Sequence, residues 1–147
     1  MKLISFVLFF TLTSFSFDRD LSQIPTGNLE VNISSFRNGK GHLLLSLYNT
    51  KKDFPAKNKN AFRTKKVKVT NESHMVTFSD LPYGEYALIF LHDENDNEDM
   101  DTNLVGMPQE GYGASNNAVN LLSAPKYEEA KFKMNMEKVV QNLKIYY

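Results

Sequence analysis

The 147-residue chain has no cysteine and no tryptophan, and its 17 basic and 17 acidic side chains cancel to a formal charge of zero. Without cysteine there can be no disulfide, no thiolate ligand or nucleophile, and no acylated residue of the bacterial lipoprotein kind. Without a basic excess, a polybasic nucleic-acid binder is excluded on overall charge. Long 3.6-residue periodicity is also missing, as are repeats and low-complexity tracts. What remains is one domain's length of chain with 11 Phe and 7 Tyr, patterned almost throughout in steps of two.

The one long apolar run is Leu3–Leu12, behind Met1-Lys2 and ahead of Ser14 and Ser16. A single positive charge, an apolar stretch and small residues at the end predict a secretory signal over residues 1–16, cleaved after Ser16. The run is short of the ~20 residues a membrane span needs. Removing it takes away only Lys2, so the mature charge is −1, with no membrane anchor left in the mature chain. Export points to the periplasm or the medium. The core must then hold without disulfides, which a domain of this length can do. Residues 17–27 read as a short linker and 28–147 as the domain.

Within that domain Leu29, Val31 and Ile33 alternate with polar residues. Asn38-Gly39-Lys40-Gly41 reads as a turn leading to His42–Tyr48 as a hairpin partner. Further strands are predicted over Thr64–Thr70, His74–Phe78 and Glu85–His92, with a Pro82-Tyr83-Gly84 turn between the last two. Residues 85–92 are apolar on both faces, the mark of a central strand. A long Gly- and Asn-rich loop spans 93–120, a helical turn is placed at Tyr127–Ala130, and two strands close the chain near 131–136 and 141–147. About seven short strands without a long helix predict an all-β fold, a single antiparallel β-sandwich.

The chemistry concentrates after the central strand. Residues 93–101 hold six carboxylates and no Lys or Arg, a crowding that favours a cation or a strongly solvated loop. Asp93, Asn95 and Asn97 stand at i, i+2 and i+4, with Asp101 at i+8. Alternate oxygen-bearing side chains on a curled loop can converge on a hard cation, which takes six to eight oxygens, so calcium is the candidate cofactor, structural in role. Asp93, Asn95, Asn97 and Asp101 are the predicted ligands, with Asp99 and Asn103 in reserve. The pattern starts like the helix–loop–helix calcium loop and then departs from it. Glu98 replaces the required Gly, Leu104 stands where a bidentate Glu is needed, and a strand leads in. A solvated acidic loop whose Asn residues serve turns is the competing reading.

Other sites are thinner. Gly113-Ala114-Ser115 lacks the second Gly and the helix of a nucleophile elbow. Gly111-Tyr112-Gly113 lacks a dinucleotide fingerprint's third Gly and following helix. Tyr112, Ser115 and Asn116 are instead a candidate binding surface that an ordered acidic loop would fix. His42, His74 and His92 form no transition-metal spacing. Residues 51–68 carry eight basic side chains against Asp53 alone. Lys on an edge strand guards against aggregation, and the stretch reads as a solvated edge or an anionic glycan surface. Export argues against nucleic acid as partner.

The strings Leu81-Pro82-Tyr83-Gly84-Glu85-Tyr86-Ala87, His92-Asp93-Glu94-Asn95-Asp96-Asn97, Asp101-Thr102-Asn103, Gly106-Met107-Pro108-Gln109-Glu110-Gly111-Tyr112-Gly113-Ala114-Ser115-Asn116-Asn117, and Ala124-Pro125 with Glu129-Ala130 resemble an exported bacterial family, the domain of unknown function 2141. The resemblance covers roughly Leu29–Tyr147. Glu98 departs from it, standing where such loops often carry Gly and leaving a tight turn there in question. The resemblance implies a secreted or periplasmic β-sandwich of prealbumin-like or immunoglobulin-like kind and supplies no activity. The reading that follows is an exported, non-enzymatic module binding an envelope protein or a glycan. An accessory protein of a hydrolase or peptidase system, presenting the acidic-loop face to substrate, is the alternative.

Overall fold

Alternating apolar residues build the fold. The computed structural model describes residues 24–55, 60–70, 72–120 and 123–147; the predicted signal segment lies outside them. Strands β1 (Thr26–Ser34), β2 (His42–Tyr48), β3 (Arg63–Lys68), β4 (Ser73–Pro82), β5 (Gly84–Asp93), β6 (Gly111–Ala114), β7 (Phe132–Met134) and β8 (Lys138–Lys144) follow in order, with one helical turn, α1 (Tyr127–Ala130), before β7. They form two sheets, β4-β1-β8 and β3-β2-β5-β6, with β7 pairing β5.

The sheets face each other through the alternating residues. Leu29, Val31 and Ile33 of β1, Val76 and Phe78 of β4, and Leu143 of β8 meet Leu43, Leu45 and Leu47 of β2 and Tyr86, Leu88 and Phe90 of β5 in one buried cluster. Each fully buried aliphatic or aromatic side chain contributes ~1.5–3 kcal/mol, which is how a disulfide-free sandwich closes. β5 is central as predicted, with β2 on one side and β6 and β7 on the other. Its outer face is covered by a second cluster, in which Ala87, Ala114 and Ala130 pack with Phe54, Ile89, Ala118 and Tyr127. The predicted helical turn supplies that cover.

Four expectations are corrected. β1 and β2 do not form a hairpin: β1 pairs β4 and β8, and β2 pairs β3 and β5. Alternation fixes the face a strand buries and not its neighbour, and these two strands bury theirs from opposite sides of the core. The sandwich is not wholly antiparallel either, because β1 and β8 run parallel, Asn28 opposite Lys138 through Ser34 opposite Lys144. The strand placed at His74–Phe78 continues to Pro82, and β1 starts at Thr26, inside the predicted linker. There Asn28 N–H donates to the Glu137 carbonyl at 2.8 Å and Tyr83 N–H to the Pro25 carbonyl at 2.9 Å, so this stretch is already sheet.

Glycine permits two close approaches to β5. Gly41 has φ +60°, and a Cβ there would lie 1.9 Å from the Asp93 carbonyl oxygen. A Cβ on Gly113 would lie 2.3 Å from the Phe90 ring. The first seats the start of β2 against the end of β5, and the second lets β6 lie beside β5.

Candidate functional site at the end of the central strand

β5 delivers Asp93 fully buried at its last position. A buried carboxylate needs donors, and the chain curls to supply them. Its Oδ1 accepts the Asn97 N–H at 3.2 Å and its Oδ2 the Glu98 N–H at 3.0 Å. Asn95 Oδ1 accepts the Asn97 N–H at 3.1 Å, and Asn97 Oδ1 accepts the Asp99 N–H at 2.9 Å. Asp96 and Glu98 take left-handed backbone, φ +63° and +64°. The tight turn that Glu98 left in question therefore forms, at the cost of strain a glycine would avoid.

The curl brings four of the predicted residues together. The side-chain amides of Asn95 and Asn97 both donate to Asp101, at 2.7 Å to Oδ2 and 3.0 Å to Oδ1, while Asp93 anchors the turn they stand on. The two reserves are not part of this group. Asp99 is exposed, and Asn103 turns away, its Oδ1 accepting the N–H groups of Val105 and Met107 at 3.0 Å each.

Charge divides the loop into two halves. On the outer side Asp96 meets His42 of β2, and Glu98 meets Lys66 of β3 at 2.7 Å. The hydrogen bond from His42 holds the Asp96 carboxyl below its ordinary value against a small burial effect, with Lys66 and Lys68 adding their field. Lys66 lowers Glu98 in the same way, first by its hydrogen bond and then by its charge, and is itself raised by Glu98. The acidic and basic segments of the sequence thus touch. On the inner side, among the described residues, Asp101 meets two neutral amides and Asp93 only backbone N–H groups.

Two supports escaped sequence reasoning. Glu110 is buried, and its carboxylate bridges the loop's ends, accepting the Glu94 N–H at 2.8 Å and the Asp101 N–H at 3.2 Å. No spacing marks it; only its place just before β6 could have. Glu94 is gripped by Arg37 Nε at 2.7 Å and Asn38 Nδ2 at 2.9 Å. Burial pushes the Glu94 carboxyl up, and these donors outweigh it, leaving the group below its ordinary value. His92, fully buried, lies beneath. Its Nε2 is 2.8 Å from the Lys40 carbonyl, which can only accept, so Nε2 donates there, and Nδ1 meets the Tyr147 hydroxyl at 2.7 Å. It is a packing histidine wedged edge-on against Phe36 and Tyr147.

A family model described as an uncharacterized protein conserved in bacteria, DUF2141, matches residues 31–142. The chain belongs to this family. No curated protein and no solved structure matches it. The DUF2141 span takes in the acidic loop, Glu110 and the turn after β6.

That turn corrects one expectation for the DUF2141 chain. Ser115 is fully buried and cannot be part of a binding surface. Its hydroxyl accepts the Leu88 N–H at 2.9 Å and faces the Leu88 and Ala130 carbonyls, tying β5 to α1. Loop composition suggested exposure, but the hydroxyl replaces a missing strand partner for Leu88. Asn116 is exposed yet committed: with φ +58°, its amide donates to the Glu129 and Lys131 carbonyls at 3.2 and 2.9 Å. Tyr112 is half-buried in β6, exchanging two backbone hydrogen bonds with Tyr146 at 2.8 and 2.9 Å. Among the described residues no three His, Asp or Glu side chains cluster as a metal site on their own; a site here depends on the two asparagines.

Proposed function

We propose that this DUF2141 chain is an exported, non-enzymatic β-sandwich module of the bacterial envelope whose acidic loop takes a calcium ion as a structural element. The observation that carries the reading is the convergence of Asn95, Asn97 and Asp101 above Asp93, on a turn whose sixth residue, Glu98, adopts left-handed backbone. Each Asn Oδ1 has one lone pair engaged by a backbone N–H and a second free to face a cation. The contacts between Asp101 and the two amides mark where charge is least balanced, and a hard cation satisfies a carboxylate better than two neutral N–H groups do. Four side chains leave room for backbone carbonyls and water to complete six to eight oxygens.

The ion would tie the loop's inner half and hold residues 102–109, which follow it, at a fixed angle to the sheets. Binding to the native state alone stabilises it by mass action, about 1.4 kcal/mol at ten times Kd, a rise of a few degrees in Tm. Extracellular modules bind calcium at ~10⁻⁴–10⁻³ M, so titration must reach millimolar ion. The test is calorimetry and thermal denaturation of chelator-treated protein, with Asp101→Ala alongside. Heat and a higher Tm in the parent, both lost in the variant, support the reading. No heat and no shift at millimolar calcium would falsify it. Calcium-dependent retention on a glycan array then separates a binding module from an accessory protein of a hydrolase system.

A further inference from the structure

The segment Asp101–Gln109 is a β-hairpin standing out from the acidic loop. Thr102 bridges Pro108, Gln109 N–H donates to the Asp101 carbonyl at 2.8 Å, and Asn103 N–H donates to the Met107 carbonyl at 2.9 Å. The turn closes with Gly106 N–H on the Asn103 carbonyl at 2.9 Å and Gly106 at φ +81°. Its two tip positions, ordinarily polar, hold Leu104 and Val105, 107% and 81% exposed, with partly exposed Met100 and Met107 on the shoulders. Nothing in folding rewards aliphatic side chains there.

Part of the tip's polar demand is met from within. The N–H groups of Val105, Gly106 and Met107 are all bonded to Asn103, through its side chain or its carbonyl. Backbone entering an apolar medium needs this internal satisfaction. The base of the hairpin is negative: Asp99 is exposed and Asp101 is bonded by two neutral amides. Glu94, Asp96 and Glu98 meet Arg37, His42 and Lys66, and the field of Lys68 reaches Asp96.

We propose that Leu104 and Val105 insert into a lipid surface rich in ethanolamine headgroups. The outermost group of such a lipid is an ammonium, which complements the carboxylates around the tip, whereas an anionic glycerol headgroup repels them. The contact is peripheral and reversible, since one short apolar tip falls well below what stable anchoring takes. It needs no metal ion, so it stands apart from the calcium reading, and chelator keeps the two separate in the test.

The chain's lack of tryptophan makes the test direct. The full chain carrying Leu104→Trp is mixed, in chelator, with phosphatidylethanolamine/phosphatidylcholine vesicles whose acyl chains are brominated in one arm. Met75→Trp, on the outer face of β4 and 69% exposed, is the control for binding through any other part of the chain. The expected result is a blue shift and quenching for Leu104→Trp alone, weakened when phosphatidylglycerol replaces the ethanolamine lipid. In sedimentation with plain vesicles, Leu104→Ser/Val105→Ser lowers partitioning at least roughly tenfold with circular dichroism and Tm unchanged. An unshifted Leu104→Trp spectrum on every vesicle overturns the proposal and leaves a protein pocket as the tip's occupant. Self-association of the parent abolished by the double serine variant, with no lipid shift, overturns it in favour of a second copy.

Discussion

Two polar constellations lie beside β5, the Asp93 loop at its end and the Ser115 turn along its flank, and both answer the same need for buried hydrogen bonds in different ways. Ser115 is a neutral hydroxyl with backbone partners on both sides, and it leaves no charge over. Asp93 and Asp101 also have a donor on each carboxylate oxygen, yet among the described residues every donor they meet is neutral. Satisfied hydrogen bonds and balanced charge are separate conditions. The Ser115 turn meets both, while the inner half of the loop meets only the first, and that difference is the reason to look for an ion at one and not at the other.

The strongest way to break the comparison is to remove the floor the loop stands on. Gly41→Ala drives a Cβ to within 1.9 Å of the Asp93 carbonyl at a left-handed φ, and should cost about 3–5 kcal/mol in urea denaturation. A neutral outcome would mean that the end of β5 is free to shift, and the loop geometry with it.

Next come the two constellations themselves. Ser115→Ala strands the buried Leu88 N–H and should cost about 1–3 kcal/mol, with any calcium-induced rise in Tm intact. Asp93→Ala should cost a similar amount and abolish that rise. Equal calcium responses in the two variants would erase the distinction drawn between them.

Acid should then affect one side only. Glu94, Asp96 and Glu98 lie below their ordinary values of 4.5, 3.8 and 4.5 in the folded chain. Their stabilisation is complete above those values and fades as pH falls through the lower folded ones. Stability measured from pH 6 to 3 should decline, with the same slope in Ser115→Ala and a shallower one in Arg37→Ala, which strips Glu94 of its cation. A slope unaffected by Arg37 would place the acid sensitivity elsewhere.

The smallest effect sharpens the loop's own cost. Glu98→Gly removes left-handed strain but also the partner of Lys66, and the balance should raise Tm by roughly one to three degrees in low-charge-screening buffer. A fall in Tm would show that the Lys66 contact matters more than backbone strain.

Much of the architecture was legible in the residue pattern. Period-two alternation located β1 to β5, and the doubly apolar run marked β5 as central. Partners were not legible, because alternation is silent on neighbours: Asn38–Gly41 looked like a hairpin turn and instead carries the chain from one sheet to the other. β6 was hidden, since Gly111-Tyr112-Gly113-Ala114 has no alternation of bulk, and its glycines serve the close approach to Phe90 and Tyr147. At the site, Asp93, Asn95, Asn97 and Asp101, singled out by oxygen spacing, lie together in the folded loop. The spacing overreached to Asn103, which the hairpin claims for its own cap, and it missed Glu110, whose role is visible only once the loop's ends are side by side.

The parallel pairing of β1 with β8 has a consequence for how the chain reaches its native state. Asn32 and Asn142 hydrogen-bond across 110 residues of sequence, and the middle strand of the β4-β1-β8 sheet has no second neighbour until β8 has been synthesised. Contacts of such separation are slow to form. β1 can pair with β4 early, but its other hydrogen-bonding edge stays available to other chains until synthesis passes residue 144. The order of assembly is thus written into the sheet: the larger sheet's β2-β3-β5 portion can form first, and the smaller one is completed from the far end of the domain.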